Sequence, residues 1–212
     1  MNKTILTLVL ALGMLSVDAQ IEKLSGPRVG ITMITSGSLA SIIRGDVPFF
    51  SDEVRDKWTG STGKYGAAIS QYGWQWETRF ADGGEVTGIV EWVALVGGME
   101  KGLFLPSVSS MVGLRTDKGI EFAVGPNLSL GGIAMVFGAG YNFKFGKLNL
   151  PVNITYVPSM NKNYHHEERY DYVELYDEDG ADIGYEVVTP EYTVAHPTGA
   201  RISVMVGFNL GK

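Results

Sequence analysis

Between Gly119 and Pro158 the chain alternates large apolar residues with small or polar ones at almost every step. Ile120, Phe122, Val124, Leu128 and Leu130 fall on one face of such a pattern, with Glu121, Ala123, Gly125, Asn127 and Ser129 on the other. Ile133, Met135, Phe137, Tyr141, Phe143 and Phe145 repeat it against Ala134, Gly138, Gly140, Asn142 and Lys144. A period of two marks a strand whose faces meet different surroundings. The same reading predicts strands over 28–36, 67–81, 85–97 and 103–116, three more across 119–158, and a last one over 201–210. That makes eight.

The connections alternate in length. Asp82–Gly84, Asp117–Gly119 and Gly146–Lys147 are tight turns, whereas 37–64 and 161–199 are long. Short turns on one side and long loops on the other are the habit of transmembrane barrels with an even strand number. Turn length and facing are coupled in a hairpin. The predicted turns put Phe80 opposite Val86, Leu130 opposite Ile133 across Gly131–Gly132, and Phe145 opposite Leu148, greasy against greasy each time. Pro106, Pro126 and Pro151 fall inside these strands and predict bulges there, or shorter strands, because proline donates no ladder hydrogen bond.

Which face meets lipid follows from residue size. The polar face carries Gly30, Gly73, Gly113, Ala123, Gly125, Gly138, Gly140 and Gly207, which suits the narrow interior of an eight-stranded barrel. The greasy face carries Tyr72, Trp74, Trp76, Trp92, Tyr141 and Tyr156, more aromatic bulk than a small calyx holds. The predicted fold is all-β: an eight-stranded antiparallel up-and-down transmembrane β-barrel with two long extracellular loops. Its inward positions include Glu77, Arg79, Glu91, Arg115, Glu121, Lys144 and Arg201, expected as structural ion pairs because unpaired buried charge is costly. The Asp117–Gly119 turn sets Arg115 across from Glu121. Eight strands leave room for side chains but not for a porin-like channel.

Composition narrows the partners. A formal charge of −6 argues against nucleic acid, and the absence of cysteine excludes disulfides and thiolate metal sites. The first residues read as a secretory signal: Lys3, an apolar run from Ile5 to Leu15, then Val17–Asp18–Ala19 before Gln20. Residues 1–19 are therefore expected to be a signal peptide, and 20–212 the barrel, in the bacterial outer membrane. No run of about eighteen apolar residues follows that could form a spanning helix.

The loops hold the remaining chemistry. In 37–64, helices are predicted over Leu39–Arg44 and, capped by Ser51, to about Trp58. Val47, Phe49, Phe50 and Trp58 form a candidate partner-binding patch there. The segment 161–199 carries ten carboxylates against Lys162 and Arg169, and its alternation over Tyr170–Tyr176 and Ile183–Val188 predicts a hairpin that extends the barrel strands. Asp177 and Asp179 lack the spacing of a calcium loop. His165, His166 and His196 lie in the same segment, and no spacing singles out a catalytic set among them, Ser36 and Ser38. No metal, cofactor or enzymatic activity is expected. The partners expected are outer-membrane lipid and another envelope protein bound through the loops.

The segments GWQWETRF (73–80), VGLRTDKGIEFAVGPNLSLGG (112–132) and the ending VGFNLGK resemble small outer-membrane barrel proteins of Bacteroidota. More loosely, the architecture is similar to the OmpA-type barrel, although the chain ends Phe208-Asn209-Leu210-Gly211-Lys212 and not on an aromatic residue. The resemblance carries over no catalytic residue, and the role expected of the chain is a non-enzymatic structural or interaction one without an open pore. The alternatives to that role are a barrel enzyme modifying lipid A or phospholipid, and a soluble periplasmic lipocalin-like ligand binder.

Overall fold

A computed structural model describes residues 23–46, 64–146, 148–176 and 179–210. The expected signal peptide, the second loop helix and the patch of Val47, Phe49, Phe50 and Trp58 lie outside the described residues. The barrel strands are β1 (Lys23–Ile34), β2 (Ala67–Asp82), β3 (Val86–Gly97), β4 (Leu105–Thr116), β5 (Ile120–Ser129), β6 (Gly132–Phe145) and β7 (Leu148–Val157). After an excursion through β8 (Asn161–His166), β9 (Arg169–Val173), β10 (Tyr185–Thr189) and β11 (Tyr192–Pro197), the chain returns as β12 (Arg201–Gly207) and the short β13 (Asn209–Leu210). Each barrel strand pairs antiparallel with the next, and β12 joins β7 to β1 and closes the barrel. The structure is thus the predicted eight-stranded up-and-down barrel, with β12 and β13 together forming its last wall.

Facing follows the alternation. Val29, Ile31 and Met33 of β1 are exposed on the outer wall, whereas Arg28, Thr32 and Ile34 are buried in the lumen. Glycine on the inward face is required where strands crowd. An added Cβ at Gly125 would lie 1.9 Å from the backbone oxygen of Ser110, which cannot move aside without moving β4.

Two predicted turns are corrected. Ser129 pairs with Gly132, so the turn is Leu130–Gly131 and Leu128, not Leu130, faces Ile133. Gly132 takes the positive φ of 109° as the first residue of β6 rather than as the turn's second residue. In the β2–β3 hairpin, Asp82 pairs with Thr87 around a four-residue loop closed by Gly83 N–H to Val86 O at 2.9 Å. Glu85 is exposed in that loop. Phe80 does not face Val86. It sits in a register shift between Arg79 and Ala81, with its ring where a Gly88 side chain would be. The bulge absorbs the odd residue, so every side chain beyond it keeps its face.

The β3–β4 ladder runs unbroken past Pro106, whereas Pro126 and Pro151 each interrupt a ladder on one side without shifting it. The β4–β5 pairing skips Gly125 and Pro126 and resumes in the same register. Between β7 and the closing strand it skips Leu150 and Pro151, again with no slip. The long loop obeys the same rule. From Leu148–Leu210 to the bridge Tyr176–Asp182, partner numbers keep one constant sum, so β7 to β12 is a single hairpin in one register. Three of its four interruptions fall at Pro151, Pro158 and Pro190, where a missing N–H removes ladder bonds but not spacing, and the fourth lies between Val173–Tyr185 and the Tyr176–Asp182 bridge.

The helix α1 (Ser38–Arg44) stops the end of the barrel that carries the long loops. Its Ala40 and Ile43 pack against Ile34, Ile69 and Leu105 of the wall, and Leu39 N–H reaches Thr198 O at 3.3 Å. Gly45 ends the helix at φ 78°, and Arg44 then pairs with Asp46 and lies 5.6 Å from the centre of the Tyr65 ring. At the same end the carboxylate of Glu100, in the turn Met99–Lys101, accepts from Ser70 N–H at 3.0 Å and from Ser70 Oγ. Those bonds hold its carboxyl below the usual range.

Replacing Gly125 tests the crowding directly. Gly125→Val is expected to lower the urea midpoint for unfolding of the purified barrel, whereas Gly131→Ala, in a turn where the added Cβ would meet nothing closer than Ser129 Oγ at 3.5 Å, leaves it nearly unchanged. Equal midpoints for Gly125→Val and the native chain would mean the strands do not approach as described.

Candidate functional site

The barrel lumen is the most organised site in the molecule. Alternation on five strands delivers Arg28 of β1, Gln75 and Glu77 of β2, Glu91 of β3, Arg115 of β4 and Glu121 of β5 to one interior, all of them buried. Arg115 is at its centre. Its Nε donates to Glu121 Oε1 at 2.5 Å, and Nη1 and Nη2 donate to the two oxygens of Glu77, each at 2.5 Å. The planar guanidinium suits this, since it offers two donors in parallel to one carboxylate and a third to another. Asn153 Nδ2 then reaches Glu121 Oε2 at 3.5 Å.

A second chain of contacts runs beside the first. Arg28 Nε donates to Gln75 Oε1 at 2.8 Å, and Gln75 Nε2 donates to Glu91 Oε1 at 2.7 Å. Arg28 Nη1 also holds Asn209 Oδ1 at 2.9 Å, which ties the closing strand to β1. Glu77 and Glu91 face each other across the β2–β3 ladder. Two carboxylates at one pair would repel, and their separate partners, Arg115 and the Arg28–Gln75 relay, offset that repulsion.

Toward the loop end the lumen holds hydroxyls and amides around the Arg201 guanidinium. Thr32 Oγ1 donates to Gln71 Oε1 at 2.5 Å and shares a 2.7 Å contact with Ser203 Oγ. Arg201 donates to Ser129 Oγ at 2.8 Å and Asn127 Oδ1 at 3.0 Å. An apolar layer of Val93, Met111, Val136 and Val157 packs between the walls. A cavity of about 60 Å³ remains, bordered by Arg28, Gln75, Glu91, Glu121 and Asn153 among others. Among the described residues Arg28 Nη2 and Asn153 Oδ1 have no protein partner, and a cavity offering a donor and an acceptor is of the kind that holds ordered water.

The residues expected inside divide as follows. Arg115 and Glu121 meet as the turn requires, and Glu77 joins them across the lumen from a strand that does not neighbour β4. Glu91 is met by an amide. Arg201 binds neutral oxygens. Arg79 is half-buried beside the bulge. Lys144 is exposed, contrary to its expected place in the interior pairs, because it lies one position before Phe145, where β6 runs out beside the Gly146 turn. Sequence reasoning passed over Gln75, Asn127, Asn153 and Asn209, although their inward parity was available, since charge alone was used to choose candidates. The histidines are spread along the loop hairpin. His165 is exposed, with Nδ1 3.3 Å from Thr193 Oγ1 and Nε2 3.8 Å from Glu191, while His196 is buried and pairs in the ladder with Lys162.

Removing Arg115 leaves the buried carboxylates of Glu77 and Glu121 without their shared cation. Arg115→Leu is expected to cost about 3–5 kcal/mol of stability, read as a drop in the urea unfolding midpoint. Adding Glu77→Gln and Glu121→Gln to it should recover most of the loss. An unchanged midpoint for the single variant would show that the cluster does not hold the barrel together.

Comparison with protein-family models, with curated proteins and with solved structures finds no match. The architecture is that of a closed, eight-stranded, antiparallel barrel.

Proposed function

We propose that this chain is an integral outer-membrane β-barrel protein without an open pore, acting as a structural or interaction component of the cell envelope and not as an enzyme. The observation that carries the reading is the inversion of the barrel. All eight strands expose apolar side chains outward, from Ile31, Trp74, Trp92 and Leu114 to Phe122, Phe137, Ile154 and Val204, while the lumen holds the charges and amides. In water that outer wall would be one continuous apolar patch far beyond what soluble monomers carry. In a bilayer it is the expected band, and Tyr141, Phe143 and Phe145 supply aromatic side chains near the turn end. A lipocalin-like binder needs the opposite arrangement, a greasy interior and a polar wall.

Paired charges and a helix across one end favour a filled lumen over a conduit. Function then falls to the segments outside the band, 37–64 and 161–199, displayed on one side of the membrane toward an envelope partner.

Cell fractionation tests the location. The protein is expected in the outer-membrane fraction, released only by detergent and migrating faster on gels before boiling than after. Recovery in the soluble periplasm would overturn the reading. Purified protein in a planar bilayer should add no discrete conductance steps, and regular openings would remove the claim of a closed lumen.

A further inference from the structure

The distal part of the loop hairpin, β9 and β10, is a two-stranded ribbon that continues the register of the barrel wall. At about 3.3 Å per residue its tip stands roughly 60 Å beyond Val157. Pairing assigns its faces. Val173, Leu175, Ile183, Tyr185 and Val187 share one, all five exposed, and next to the barrel the same face carries the Arg169–Asp171 ion pair. Tyr170, Tyr172, Tyr176 and Val188 share the other, equally exposed, and alternate there with Glu174, Asp182 and Glu186. Tyr172 Oη donates to Asp182 Oδ2 at 3.1 Å and its ring lies over Gly184, so this tyrosine is held against the ribbon, and Tyr170 Oη donates to Glu168.

A two-stranded ribbon with nothing on either face is marginal in water, and this one shows large apolar side chains on both. Its charge says what kind of surface covers it. The segment 161–199 carries ten carboxylates against Lys162 and Arg169. A second copy of the ribbon would meet like charge, and so would an anionic membrane surface. We infer that the ribbon seats in a cleft of another protein, with an arginine- or lysine-bearing wall against the tyrosine–carboxylate face and an apolar wall against the Val173–Tyr185 face. Cations stack on tyrosine rings while pairing with the neighbouring carboxylates, and both contacts strengthen once water is excluded. This deepens the proposed interaction role and rests on it.

Photo-crosslinking in intact cells tests the cleft. Benzoylphenylalanine placed at Ile183 and, in a separate variant, at Glu186 reports the two faces, and Lys101 serves as an exposed control. The expected result is one protein captured from both faces and not from the control, with basic peptides linked to position 186 and apolar peptides to 183. Adding Glu174→Gln and Asp182→Asn should cut the yield at least tenfold at position 183 as well, since both walls belong to one partner. Capture from only one face, two unrelated proteins, glycan or lipid adducts alone, or adducts no stronger than the control would overturn the inference. The gel shift on boiling reports that each variant is folded. A folded, membrane-bound chain without adducts removes the cleft alone, whereas a chain found soluble removes the envelope reading beneath it.

Discussion

Arg115 is the side chain on which the interior depends. A guanidinium with two carboxylates is a costly thing to bury, and it is tolerable here because all five N–H directions are available to a planar fork and three of them end on carboxylate oxygens at 2.5 Å. Glu77 and Glu121 come from strands on either side of it, so the cluster ties β2, β4 and β5 across the lumen while the ladder ties only neighbours. With Arg28 and Gln75 holding Glu91 and Asn209, the contacts reach the closing strand. Polar pairs thus do for this barrel what apolar packing does for a barrel with a greasy interior.

That inversion follows from the outer wall. Once the apolar faces of all eight strands turn outward, each polar face has no solvent to meet except what the narrow lumen admits. Small residues let the strands close, as at Gly125 against Ser110, and the larger polar ones must find each other. Prolines are accommodated by dropping ladder bonds in place. The single register from the turn end of the barrel to the tip of the ribbon shows that missing bonds need not mean a slip.

Most of the fold was legible along the chain because a period of two survives local error. Moving the Leu130 turn by one position kept the faces, since its length stayed at two residues. The β2–β3 hairpin was misread at both the loop and Phe80, and the bulge returned the strands to the expected parity. Lys144 was assigned by parity alone, which ignores that a strand's last residues lie outside the lumen. The Arg115–Glu121 pair was readable because a tight turn determines what lies opposite. Glu77 was not, because β2 and β4 are separated by β3 and meet only when the sheet curls.

The alternating pattern and the turns by themselves determined strand number, strand order and which side of each strand faces in, because all three depend on neighbours in sequence. Only the closed tertiary structure decided which inward charges meet, where the bulge falls and that α1 stops one end. Those depend on distances across the lumen, which come into being when β12 completes the ring between β7 and β1.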